Sequence, residues 1–274
     1  MHDPTDSEIL DCLKRSGYLM ESRLISSLSA NGYFVDPNQM LLDPITGKSR
    51  EIDIVAEFYA GNQTRNSKCC VKTHFVIEAI NNLHPVVLLT QRPYSPNSGF
   101  EDYSRCWLTG PPEVSRFLAE IALSELKLPD DQVIYAQYCG ITKKKGNGEL
   151  MASHLDDIYS SLHKAVRFCS DSLMSQENLN LGSSDEYWRA FFWQPVLVLS
   201  GRLLVADVDS DGQQIVREVP SANLEFNYHE GDYQRSMIVQ VATESSLLRV
   251  LQRTADIDHD IECKLSQRRT ETNA

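Results

Sequence analysis

Asp53 and Glu78 are the residues with which this chain could do chemistry. Asp53 lies in Arg50–Phe58 and Glu78 in Cys70–Ile80, two segments whose alternation reads as β-strand, and each acid sits on the more polar face of its strand. Neighbouring antiparallel strands would bring the two carboxylates within a few ångströms of each other. Hard divalent cations such as Mg²⁺ take a few carboxylate oxygens and keep several waters. A cation so held polarises a phosphoryl group and generates hydroxide near neutral pH, which is the chemistry of phosphodiester hydrolysis.

The elements that must position these acids can be read from periodicity. A helix is expected from Asp6 to Arg15, with Ile9, Leu10 and Leu13 on one face, and a second after Gly17, with Met20, Leu24, Ile25 and Leu28 apolar. Asn31-Gly32 ends the second helix, since both residues tolerate left-handed backbone. Tyr33–Val35 and Met40–Leu42 look extended, and Asp43–Lys48 reads as a turn. In Arg50–Phe58 the alternation places Ile52, Ile54, Ala56 and Phe58 on one face and Glu51, Asp53, Val55 and Glu57 on the other. Further along come an extended Val86–Thr90, an amphipathic helix over Pro112–Leu126 and a strand over Gln132–Cys139. A long helix follows, from about Leu150 to Leu173, and then a run of short strands. Those strands are Pro195–Leu199, Leu203–Val208, Gln214–Val219, Leu224–Tyr228 and Met237–Thr243, followed by a helix from about Glu244 to at least Ala255. This mixture predicts an α/β (α+β) protein. The Ser175–Ser184 stretch is the best candidate linker, dividing a core over 1–175 from a β-rich region over 185–274, with packing of both regions into one domain as the alternative.

The order of these elements resembles the PD-(D/E)xK nuclease superfamily, which includes restriction endonucleases and archaeal Holliday-junction resolvases. The residues that carry the resemblance are a helix bearing Glu21, the segment Thr46-Gly47-Lys48-Ser49-Arg50-Glu51-Ile52-Asp53-Ile54-Val55-Ala56, and Phe75-Val76-Ile77-Glu78-Ala79-Ile80. They cover about a quarter of the chain clearly. The resemblance implies a restriction-endonuclease-like core, a mixed sheet flanked by helices. It further implies Mg²⁺ or Mn²⁺ on Asp53 and Glu78, Glu21 supporting the metal–water network, and DNA as the partner. A homodimer is a separate candidate that the resemblance does not supply. One departure bears on activity: the family's lysine belongs two residues after Glu78, where this chain has Ile80. That lysine positions the attacking water and stabilises developing negative charge. Isoleucine does neither, so a lysine from elsewhere must reach the site, Lys72 and Lys48 being nearest in sequence. The alternative is a catalytically inactive nuclease-fold module that binds nucleic acid or protein.

Other patterns compete less well. Asp207-Val208-Asp209-Ser210-Asp211-Gly212, ending at Glu218, satisfies the calcium-loop pattern. Its flanks read as strands rather than helices, so a β-hairpin tip is the expected structure. His154 and His163 are too far apart on one helix to share a metal, and Asp256, Asp258 and Asp260 read as a solvated helix end. Trp188, Phe191, Phe192 and Trp193 form an aromatic cluster of the kind that usually packs in a core. No nucleophile elbow, P-loop or dinucleotide fingerprint occurs.

Composition sets the frame. The apolar fraction of 42% and charged fraction of 23% over 274 residues are those of a globular protein. No apolar run approaches the roughly 20 residues that span a bilayer, and the polar, acidic start is not that of a secretory signal. A cytoplasmic location with no membrane partner is the expectation. The seven cysteines lack zinc-site spacing and are expected to be reduced and mostly buried. The net charge of −12 requires that any nucleic-acid contact come from local basic groups, of which Lys143-Lys144-Lys145 is the densest run.

Overall fold

The computed structural model describes residues 3–16, 18–42, 47–61, 68–82, 84–93, 106–109, 133–144, 146, 148–178, 188–209, 211–230 and 233–272. The expected helix over Pro112–Leu126 lies outside these residues, as does most of the Ser175–Ser184 stretch.

Two helices open the chain, α1 (Asp6–Ser16) and α2 (Tyr18–Ala30). Gly32, at φ 84°, ends α2, and the amide of Tyr33 reaches back to the Leu28 carbonyl. Strands β1 (Phe34–Leu42), β2 (Ser49–Ala60) and β3 (Cys69–Ile80) then form an antiparallel meander. Next are β4 (Val86–Pro93), β5 (Cys106–Thr109), β6 (Val133–Lys143) and β7 (Leu150–Ser153). Helix α3 (Asp156–Asn178) precedes β8 (Trp188–Leu199), β9 (Leu203–Val208), β10 (Gln214–Glu218), β11 (Ser221–Glu230) and β12 (Tyr233–Thr243), and α4 (Leu247–Thr272) closes the chain after a single 3₁₀ turn.

All twelve described strands belong to one mixed sheet, ordered β1-β2-β3-β8-β12-β11-β6-β4-β9-β10, with β5 on β8 and β7 on β6. β8 runs parallel to β3 from Cys69↔Trp188 to Ile80↔Leu199, so the central pair joins segments distant in sequence. One face is covered by α3, whose Ile158, Leu162, Val166 and Cys169 pack on Val76, Leu197 and Val239. The other face is covered by α2 and α4, whose Leu24, Leu28, Leu247 and Leu251 pack on Ile54, Phe75, Ile77 and Val198. Apolar side chains alternate between the two layers because a β-strand turns successive residues to opposite faces. The α/β expectation therefore holds at the level of a large mixed sheet with helices on both sides.

Two of these expectations need correction, and a third is extended. Leu150–Ser153 is strand, not helix, because it pairs with β6. The terminal helix, expected to reach at least Ala255, continues to Thr272, since Ile261 and Leu265 continue its buried stripe. Asp258 is not solvated: it is 2% exposed and accepts a 2.7 Å hydrogen bond from the hydroxyl of Thr73 on β3. Of the cysteines, Cys69, Cys70 and Cys169 are buried, whereas Cys12 and Cys263 are exposed. No helix among the described residues is long and apolar enough to cross a membrane.

Candidate active site

The β2–β3 register pairs Ile54 with Ile77, and its continuation by one residue sets Asp53 opposite Glu78. Asp53 Oδ2 accepts a 2.8 Å hydrogen bond from the amide of Ala79, which fixes the aspartate against the end of β3. The strict alternation expected for β2 breaks here. Ile52 joins Val55 in the α3-side core, while Ile54 and Ala56 face α2 and α4. The β1–β2 ladder also skips the Asn38–Asp53 position, where Asn38 has a left-handed φ of 56°. Asp53 thus sits at a distortion of the strand, a common way to aim a functional side chain.

Glu78, on β3, is 1% exposed. Lys164, on α3, brings its Nζ 2.6 Å from Glu78 Oε2 and donates a 3.0 Å hydrogen bond to the Glu51 carbonyl. The contact with Glu78 is best read as an ion pair, because neither Glu78 oxygen meets a donor in full hydrogen-bond geometry. Burial pushes the Glu78 carboxyl up to about 8, and the charge of Asp53 adds to the rise, against Lys164 and the Ser161 hydroxyl. Asp53 is raised too, chiefly by burial, with the Ala79 amide and Lys164 opposing and Glu51 reinforcing. Glu21, from α2, is raised by burial and then by Asp53, with Lys164 again opposing. The three acids singled out from sequence are therefore electrostatically coupled, with one ammonium among them.

That ammonium is the residue sequence reasoning missed. Lys48 is solvent-exposed, and Lys72 is held by Glu57 at 2.6 Å in a separate cluster with His74. Lys164 lies beside the apolar stripe Leu162, Ala165, Val166 and Cys169 of α3 and is mostly covered. A lysine bordering a buried stripe is a weak signal, because long cationic side chains often lay their stems along apolar surface.

The donor chemistry fits a hard divalent cation. Two coupled carboxylates, one with oxygens buried and without a full hydrogen bond, would be relieved by positive charge. Among the described residues no group of three or more His, Cys, Asp or Glu is arranged as a metal cage. Mg²⁺ commonly relies on one or two carboxylates with water completing its shell.

The calcium-like pattern folds as the expected hairpin. β9 and β10 pair antiparallel, Gly212 takes φ 76°, and Asp209 Oδ1 accepts from the amides of Asp211 and Gln213. Asp207 is engaged by Arg217 and Tyr135, and Glu218 by Arg202, so the outer ligands of that pattern have other partners. His154 precedes α3 rather than lying on it, and Trp193 stacks on His74 at 4.6 Å in the core. No family model, curated protein or solved structure matches this chain.

Proposed function

We propose that this protein is a divalent-metal-dependent nuclease acting on DNA phosphodiester bonds, built on a restriction-endonuclease-like core. The observation that carries the reading is the approach of Lys164 to Glu78 beside Asp53 and Glu21, which supplies from α3 the cation that Ile80 cannot. Asp53 and Glu78 would hold Mg²⁺ or Mn²⁺, which when bound supplies Lewis-acid polarisation of the phosphoryl group and a water of lowered pKa. Asp53, locked by the Ala79 amide, presents its other oxygen in a fixed direction. Glu21 adds negative charge at the edge of the site and can accept a proton from a water. Lys164, anchored on the Glu51 carbonyl, stabilises charge developing on the scissile phosphate. Burial of Glu78 lowers the local dielectric and strengthens each of these interactions.

A second reading is a catalytically inactive module of the same fold that binds nucleic acid or protein. It is favoured by Ile80 at the position of the family's lysine and by the net charge of −12. Cleavage of plasmid and linear DNA with Mg²⁺ or Mn²⁺, compared between wild type and Asp53→Ala, separates the two. The nuclease reading expects metal-dependent cleavage that the substitution abolishes. Cleavage that survives Asp53→Ala undiminished overturns the site, and no cleavage by the wild type with either metal overturns the nuclease reading.

A further inference from the structure

A cavity of about 340 Å³ lies between β10, the β11–β12 ladder and the first turns of α4. Its floor includes Asn223 and Gln240, a directly opposed cross-strand pair. Their neighbours Leu224 and Val239 pack towards α3, so the alternation turns the two amides towards α4. Each residue is only 7% exposed, and neither side chain has a hydrogen-bond partner among the described residues. Neither amide is among the fully buried polar atoms that lack a partner, so both open onto the cavity, where a ligand can satisfy them.

The rim has a different chemistry. Arg217 from β10 and Arg249 and Arg253 from α4 line the cavity, and no Asp or Glu is among its described lining residues. Arg217 is paired with Asp207, which accepts from its Nε at 3.2 Å, lies 3.1 Å from its Nη2 and also accepts from the Tyr135 hydroxyl at 3.0 Å. Three guanidinium groups at one cavity stand out in a chain of net charge −12. Guanidinium forks match the oxygens of a phosphate bidentately, whereas Asn and Gln amides each offer donors and an acceptor to a heterocycle edge. The volume falls at the lower end of small-molecule sites, roughly 300–1,000 Å³.

We propose that this cavity binds a mononucleotide, its phosphate on Arg217, Arg249 and Arg253 and its base edge on Asn223 and Gln240. None of its described lining residues belongs to the cluster of Glu21, Asp53, Glu78 and Lys164.

Calorimetric titration of the full chain with the four common nucleoside 5′-monophosphates, ribose 5-phosphate and inorganic phosphate tests it. At least one nucleoside monophosphate binds with one site per chain, about tenfold or more tighter than ribose 5-phosphate or inorganic phosphate. The double variant Arg249→Gln/Arg253→Gln, made at two exposed positions, weakens that binding by about tenfold or more. Asp53→Ala leaves it unchanged, which separates this site from the proposed catalytic one. The proposal is overturned if no nucleoside monophosphate binds, if phosphate or ribose 5-phosphate binds as tightly, if the arginine variant binds undiminished, or if Asp53→Ala abolishes binding.

Discussion

Replacing Asp258 by asparagine should stabilise the protein above neutral pH and leave it nearly unaffected in acid. Asp258 lies on α4, 2% exposed, with the Thr73 hydroxyl donating to its Oδ2. Burial raises its carboxyl from 3.8 to about 7, and the Thr73 hydrogen bond opposes that rise without cancelling it. A carboxyl raised on folding binds its proton more tightly in the folded state. Its protonated form therefore contributes fully below pH 3.8, and stability falls as pH rises through about 7. At about 1.4 kcal/mol per tenfold change in proton affinity, the loss amounts to about 4 kcal/mol, an upper figure for so buried a group. Asparagine retains an acceptor for Thr73 but cannot ionise, so the variant escapes the loss. Urea denaturation of both proteins, followed by circular dichroism in parallel at several pH values from 4 to 8.5, reads the difference directly, and other titrating groups cancel. The variant should match the wild type within about 1 kcal/mol at pH 4 and exceed it by about 2–4 kcal/mol at pH 8. A difference that does not change with pH, or a variant less stable at pH 8, would refute the reasoning.

Glu57 shows the opposite sign. Its hydrogen bond with His74, then Lys72, hold its carboxyl down at about 2 against burial. Glu57→Gln should cost about 2 kcal/mol at pH 7, a contribution the wild type loses as pH falls from 4.5 towards 2, measurable by the same denaturation series. Gly201 packs so closely on Asn82 that a Cβ would lie 2.6 Å from its carbonyl oxygen, and the Gly201 amide donates to Asn82 Oδ1 at 2.9 Å. Gly201→Ala should therefore lower stability by about 1–3 kcal/mol, seen as a reduced thermal midpoint.

The parts of the fold legible in sequence were those governed by local periodicity. β9 coincides with its expected range, and the hairpin at Gly212 follows from Asp-Gly turn chemistry and apolar flanks. Long-range pairing was not legible: nothing in Cys69–Ile80 announces that its parallel partner is Trp188–Leu199. The continuation of α4 was obscured because Asp258 occupies a buried position of its stripe, and a carboxylate there reads as solvent-facing until Thr73 is seen opposite it. The acidic cluster was half legible for the same reason. The order of Glu21, Asp53 and Glu78 could be read along the chain, whereas Lys164 reaches them only because α3 crosses β2 and β3. The break in alternation at Ile52 and the left-handed Asn38 are likewise products of strand pairing.

The proposed nuclease depends on Lys164 taking the place of the lysine that position 80 lacks. Ile80 belongs to the same α3-side core as Val76, so a lysine introduced there would rise on the face that carries Glu78. Rates of Mg²⁺-dependent DNA cleavage by wild type, Lys164→Met and Lys164→Met/Ile80→Lys, with each fold checked by circular dichroism, test it most directly. Lys164→Met should lose about a hundredfold or more in rate, and the double variant should recover much of it. Wild-type turnover by Lys164→Met would contradict that dependence.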